Sequence, residues 1–294
     1  MSASVQTPAE RISVVVLSRD RGDELLHTLE RLRALPEQPP VIVVDNGSID
    51  GTSAAVAAAF PDVRLITLHA NLGSAGRTVG VRAAETDYVA FADDDSWWDR
   101  GSLARATELL DAHPTIGLLA ARVLLGPEER LEPTCAAMAA SPLGGTDLPG
   151  PRILGFVACG AVVRRTAYLQ SGGFHPRYGV GGEEALLATD MAVNGWQLVY
   201  VDELVARHHP SPARDHVSRR AGQVRNDLWF TWLRRRAGTA AATTAKTVRA
   251  AAGDPAVRRG AVDALAGAAW VLRERRPVPP ETEQELRALD AART

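Results

Sequence analysis

Three consecutive aspartates, Asp93, Asp94 and Asp95, follow directly on a short apolar run, Tyr88–Ala92. Carboxylate oxygens are hard donors that suit Mg2+ or Mn2+, and such a cation in turn suits a diphosphate. In an extended segment alternate side chains share a direction, so Asp93 and Asp95 are expected to face one site and Asp94 to face away. An acidic turn, with one aspartate capping the helix after Trp98, is the plainer alternative. A second acidic group, Glu183 and Glu184, opens an expected helix behind a glycine-studded loop, Ser171–Gly182. Helix N-termini favour negative charge, so stability alone could account for one of the two. His208 and His209 stand in a Pro-bounded turn, while His69, His113 and His175 have no evident partner.

The elements that must position these groups can be read from periodicity. Arg11–Leu17 is a continuous β-branched run, as expected of a strand covered on both faces. Leu25, Leu26, Leu29, Leu32 and Leu35 then recur at helical spacing up to Pro36. Val41–Val44, Val63–Leu68 and Tyr88–Ala92 read as further strands, with helices expected near 52–60 and 77–84. Such alternation predicts βαβ units and a mainly parallel, doubly wound sheet flanked by helices. Ligands on these sheets sit beyond the carboxyl ends of the strands, so Ser18, Asp45, Asn71 and the three aspartates should converge on one rim.

Further on, the rhythm loosens. A helix over 102–112, a strand at Ile116–Val123, an irregular Pro/Gly-rich loop at Gly126–Pro151 and a strand at Ile153–Val163 are expected. A helix near Glu183–Asn194 and a strand at Leu198–Val201 follow. After Pro212 the composition shifts: Arg214–Arg236 holds seven arginines against two aspartates. The expected organisation is a tail at 1–10, one domain of two halves at 11–95 and 96–212, and a helical C-terminal extension at 213–294.

The chain has 294 residues, 46% hydrophobic and 23% charged, enough for a sizeable core without disulfide staples. With 33 basic against 35 acidic side chains the net charge is −2, which argues against nucleic acid as a partner. Two cysteines, Cys135 and Cys159, make no disulfide framework or metal spacing, so a reducing cytoplasm is expected. Met1–Glu10 carries no apolar signal core, and the longest apolar stretch falls short of the ~20 residues that span a bilayer.

The segments VVVLSRDR, VVDNGSIDGT, NLGSAGRTVGVRAA, TDYVAFADDDSWWD, SGGFHPRYGVGGEE and VYVDELVARHHPSP occur in this order between residues 14 and 212. Together they resemble the family 2 glycosyltransferases, over about two thirds of the chain. The resemblance implies the GT-A fold, a nucleotide-diphospho-sugar donor, a divalent metal (Mn2+ or Mg2+) and inversion at the anomeric carbon. By the same resemblance Asp45 would accept from a pyrimidine base, which favours UDP or dTDP, and Ser18 would lie against the nucleotide. Asn71, Gly73 and Gly76 would belong to a loop passing close to the donor, with the Arg77 guanidinium near the phosphates. Asp93 would contact ribose or sugar beside Asp94, and Asp95 would bind the metal with His208, or His209, as second ligand. The acidic pair would supply the catalytic base, Glu184 or alternatively Glu183. Relatives often carry another aspartate two residues later, where this chain has Leu186. Trp97 or Trp98 would stack on an acceptor sugar, or simply pack beneath the loop.

The acceptor would be a saccharide, a lipid-linked sugar or a small molecule. Leu228, Trp229, Phe230, Trp232 and Leu233 followed by Arg234–Arg236 form an aromatic-basic patch. An interfacial helix on anionic lipid has this composition, as does a helix packing its aromatic face on the domain. Peripheral contact with the inner face of a membrane is one expectation from it. Two further readings stay open: a synthase that loads polyprenyl phosphate with a sugar, and a non-catalytic nucleotide-sugar-binding protein. A nucleotidyltransferase would be expected to carry a lysine-containing phosphate loop, and the only lysine is Lys246.

Overall fold

In a computed structural model, the structure describes residues 11–145, 147–210 and 216–292, with backbone only for 216–218. The expected tail at 1–10 lies outside the described residues. The first half alternates β1 (Ile12–Ser18), α1 (Gly22–Arg33), β2 (Val41–Asp45), α2 (Thr52–Ala59), β3 (Arg64–Thr67), α3 (Gly76–Ala83) and β4 (Tyr88–Asp93). Helix α1 has Asp23 and Glu24 in its first turn and Arg31 and Arg33 in its last, matching the helix dipole. Its Leu25, Leu29 and Leu32 are buried against the sheet. The second half holds β5 (Ser96–Trp98), α4 (Ser102–Ala112), β6 (Ile116–Leu125), β7 (Arg130–Leu131), α5 (Pro133–Ala139), β8 (Ala161–Arg164), α6 (Arg165–Gln170), α7 (Glu183–Val193) and β9 (Gln197–His208).

These strands form one mixed sheet in the order β3-β2-β1-β4-β8-β6-β9-β5, with β7 paired to β6. The strands from β3 to β4 are mutually parallel, and β8 runs against both of its neighbours. Register does the positioning: Ser18 aligns with Asp45, and Leu17 with Asp93, so the polar strand ends share one rim. The same logic brings in the far end of the chain, because β5 pairs antiparallel with β9 and sets Ser96 opposite His208.

Several expectations are corrected. The stretch at Gly126–Pro151 carries β7 and α5; both β7 residues are exposed, so no apolar alternation announces that hairpin. The strand expected at Ile153–Val163 is irregular up to a 3-10 turn at Ala158–Gly160, and only Ala161–Arg164 joins the sheet. Its apolarity has another cause: Leu154 packs on Val278 and Leu286 of the C-terminal extension.

The extension comprises α8 (His216–Arg234), α9 (Ala237–Ala251), α10 (Pro255–Ala266), α11 (Ala268–Glu274) and α12 (Pro280–Ala292). Part of the aromatic-basic patch lies in its interior. Leu228, Trp229 and Leu233 are buried with Tyr178, Leu186, Ala264, Trp270 and Val271 in a second core. Trp229 Nε1 donates to the Ala264 carbonyl (3.0 Å) and Trp232 Nε1 to Thr244 Oγ1 (2.8 Å). Arg234 pairs with Asp190 (2.9 Å) and Arg235 with Glu283 (3.1 Å), so the basic groups serve internal ion pairs. Leu186, where relatives often carry an aspartate, belongs to this core. No helix among the described residues is long and apolar enough to cross a membrane. Trp229→Ala is therefore expected to lower unfolding stability by about 3–5 kcal/mol, checked by urea denaturation. Stability close to wild type would mean that the indole is not part of a core.

Candidate active site

The three aspartates do not alternate along a strand. Asp93 ends β4, and Asp94 and Asp95 form a turn before β5, so all three side chains line one cleft of about 430 Å³. This corrects the expectation that Asp94 faces away. The turn is braced by Ser96 Oγ, which accepts from the Asp93 amide (2.7 Å), and by Thr28 Oγ1, which donates to the Asp94 carbonyl (2.8 Å). Burial, then the charges of Asp95 and Asp93, pushes the Asp94 carboxyl up to about 7, with Arg21 opposing. Arg21 lies 3.7 Å from Asp94 and 3.5 Å from Asp95. His208 Nε2 stands 3.1 Å from Asp95 Oδ1.

His209 takes a different direction. Its backbone N–H donates to the Asp95 carbonyl (2.8 Å), while its ring packs on Trp97 with centroids 4.7 Å apart. Burial, followed by the neighbouring charge of His27, lowers its imidazole pKa. The two tryptophans offer no free face for a sugar, which corrects that expectation. Trp98 is 1% exposed and donates to the Phe91 carbonyl (3.0 Å). Trp97 is enclosed by His27, His209 and Arg31.

On the other side of the cleft, Asn71 and Gly73 line the wall. They are held by Asn46, whose Nδ2 donates to Asn71 Oδ1 (2.9 Å) and to the Gly73 carbonyl (3.0 Å). Ser18 also lines the cleft, its hydroxyl beside the Asp94 carboxyl. Gly76 does not line it. A Cβ there would meet Leu17 Cδ1 at 2.6 Å, so this glycine serves the close approach of α3 to β1. Asp45 is 1% exposed, with one oxygen accepting from the Ser48 amide (2.9 Å) and the other from Ser53 Oγ. Each oxygen thus braces its own turn or α2, with acceptor capacity left over.

Arg77 lines the same cleft. Its guanidinium, 6% exposed, pairs with Asp93 and lies over the Phe174 ring. Burial opposes its charge, but Asp93, Glu183 and Glu184 together hold its pKa above the ordinary value. Glu183 and Glu184 open α7 after Gly182, which adopts a left-handed φ of 81°. Glu183 is 2% exposed and the Glu184 carboxyl is buried as well, and neither lines the cleft that holds the aspartates. Burial, and then the charge of Glu183, pushes the Glu184 carboxyl up to about 8; burial also raises that of Glu183.

Sequence reading missed three cleft arginines, Arg19, Arg21 and Arg219. It also missed Asn46 and the partners of His175, which stacks on Trp270 (5.0 Å) and contacts Glu274 (3.0 Å). Adjacency to the motifs could have found Arg19, Arg21 and Asn46. Arg219, some 120 residues away from the aspartates, gives no local signal.

The Glu184 shift has a sign that can be measured. Between the ordinary glutamate value of about 4.3 and its folded value of about 8, the folded chain binds the extra proton. This contribution to stability is fully present below about pH 4 and is lost as pH rises through 8. Glu184→Gln is therefore expected to flatten the fall in Tm between pH 5 and 9, read by calorimetry at several pH values. An unchanged slope would contradict the buried, proton-holding state.

A profile of the glycosyl transferase family 2 matches residues 13–170. The chain is 28% identical to the Mycobacterium tuberculosis N-acetylglucosaminyl-diphospho-decaprenol L-rhamnosyltransferase, over 74% of this chain and 83% of that one. It is 30% identical to the pre-mycofactocin glycosyltransferase of the same organism, over 73% of this chain and 46% of that one. Among solved structures, a mannosyltransferase from Pyrobaculum calidifontis in complex with GDP-Man and Mn2+ superposes with a TM-score of 0.59. It shares 22% identity, over 98% of this chain and 88% of that one. The S. aureus TarS 1-349 complex with UDP gives a TM-score of 0.55 at 18% identity, over 75% and 65%. At such identities the structural likeness bears on fold alone, and the fold it gives is GT-A. A profile match over more than half of the length, joined to these relatives and this sheet, means that the chain belongs to glycosyl transferase family 2 and is a glycosyltransferase.

Proposed function

We propose that this glycosyltransferase moves a sugar from a nucleoside-diphosphate donor to a hydroxyl of a lipid-linked saccharide, with inversion, in one direct displacement. The observation that carries the reading is the Asp95–His208 contact in a cleft at the carboxyl ends of parallel strands, where ligands of such sheets sit. One hard carboxylate and one imidazole fit Mn2+. Among the described residues no three His, Cys, Asp or Glu side chains form a complete metal cage. Asp95 and His208 would hold the ion, and when bound it supplies charge neutralisation for the departing diphosphate.

The chain's own residues supply the remainder. Glu184, beside Glu183 at the start of α7, takes the proton of the acceptor hydroxyl. The acceptor oxygen forms its bond to the anomeric carbon as the bond to the diphosphate oxygen breaks on the opposite face. A carboxyl pushed up toward neutrality is suited to such proton transfer, and no nucleophilic carboxylate is required. Arg77 stabilises the ionised member of the pair and holds Asp93 at the cleft wall. Arg19, Arg21 and Arg219 bring guanidinium groups to the space where phosphates would lie. A lipid-linked acceptor is supported by the rhamnosyltransferase relative, whose name specifies a diphospho-decaprenol carrier. The polyprenyl-phosphate synthase alternative drew on a free basic patch, of which Arg234 and Arg235 are engaged in internal ion pairs.

The test is calorimetric titration of UDP, dTDP and GDP, with and without Mn2+. One diphosphate is expected to bind in a metal-dependent manner, weakened about 10–100-fold or more in Asp95→Ala. With the matching sugar donor, Glu184→Gln is expected to lower kcat about 10²–10⁴-fold while sparing diphosphate affinity. Failure of the folded protein to bind any of the three with Mn2+ present would overturn the proposal.

A further inference from the structure

Helix α8 packs against bare backbone. Asn226, fully buried, donates one Nδ2–H to the Tyr178 carbonyl (2.9 Å) and the other to the Gly181 carbonyl (2.5 Å). Its Oδ1 accepts from Arg225 Nε (3.0 Å), and Arg225 donates in turn to the Tyr178 carbonyl (2.6 Å) while lying over the Trp229 ring. Gln223 closes the contact from one turn earlier: a Cβ on Gly182 would sit 2.7 Å from its Nε2. The opposite side of the loop is held as well. The Gly179 carbonyl accepts from the Ser74 amide (3.0 Å), and a Cβ on Gly73 would stand 2.6 Å from Gly179 Cα.

The segment 178–182 is thus fixed between the donor-side loop and the extension, and the residue that follows it is Glu183. We propose that Asn226 is a positioning residue for sugar transfer: by tying two carbonyls of this segment to α8, it fixes the start of α7. The Glu183–Glu184 carboxyls are thereby placed relative to the strand-end aspartates. This rests on the reading of Glu184 as the base. The chemistry of the site explains the residue type. Two carbonyls need two donors and Arg225 needs an acceptor, and a carboxamide provides all three at once. Aspartate could accept but not donate, and an apolar residue would take the Asn226 donor from the Gly181 carbonyl and leave the Tyr178 carbonyl to Arg225 alone. Helix packing alone would be served by a leucine, as at Leu228 two positions on.

The experiment combines Asn226→Ala, the milder Arg225→Gln, Glu184→Gln and the Asn226→Ala/Glu184→Gln double variant. Each is assayed with Mn2+ on UDP-glucose, UDP-N-acetylglucosamine, dTDP-rhamnose and GDP-mannose, with a short-chain prenyl-diphosphate N-acetylglucosamine as acceptor. Asn226→Ala is expected to lower kcat about 10–100-fold with donor KM held within about threefold, as for a misplaced reacting group. Amide hydrogen exchange at residues 178–184 should accelerate, while that of β1 stays unchanged. Arg225→Gln should give a smaller loss in the same direction. In the Glu184→Gln background the Asn226 substitution should cost less than about twofold, because the two residues act through one group. Equal fractional losses in both backgrounds, or a kcat near wild type, would overturn the proposal. If the wild type turns over none of these donors, the proposed donor and acceptor fail instead. Exchange then decides the clamp, and unchanged protection at 178–184 in Asn226→Ala sinks it.

Discussion

The guanidinium of Arg77 is the interaction on which the site depends. Taking an arginine out of water costs several kcal/mol, and the cost is offset only where acceptors surround it. Here they come from two separated parts of the chain, Asp93 at the end of β4 and the Glu183–Glu184 pair at the start of α7. One buried cation therefore couples the half of the domain that carries the aspartates to the half that carries the candidate base. It also limits repulsion among carboxyl groups that burial alone would force to stay protonated. Arg77 Nε and one oxygen of Glu183 lie buried without a partner among the described residues, so this network has spare hydrogen-bonding capacity.

Much of this was legible in the sequence, for physical reasons that can be named. Strands β1, β2 and β4 are covered on both faces, so their continuous apolar runs announced them. Parallel connection then implied that Ser18, Asp45 and Asp93 share a rim, and the register shows it. What failed was inference about direction. Asp94 was assigned to a strand face but sits in a turn. Periodicity describes where a Cβ points only while the backbone stays regular.

The second kind of failure concerns partners far away in the chain. Leu228, Trp229 and Leu233 have the composition of a lipid-facing stripe, and nothing local says that α10 and α11 will cover them. Asn226 lies among those apolar residues, and a lone amide there was the available signal for a polar contact. The family profile ends at residue 170, so Glu183, Glu184, His208 and all of α8 lie beyond its reach. Those residues are the ones in which this chain's own geometry has to carry the argument.

The arginine-rich composition has a practical side. Arginines staple carbonyls throughout the fold: Arg164 serves those of Leu110 and Ile116, and Arg165 that of Val81. Lysine is left with a single representative, Lys246, exposed on α9, a helix with no buried residue. Amine-directed reagents thus meet one side chain in the entire molecule, remote in sequence from every cleft residue. A dye, a biotin or a surface tether could be attached there, with the α-amino group, of lower pKa, as the competing amine. The chain is by its composition ready for single-molecule work without any engineered cysteine.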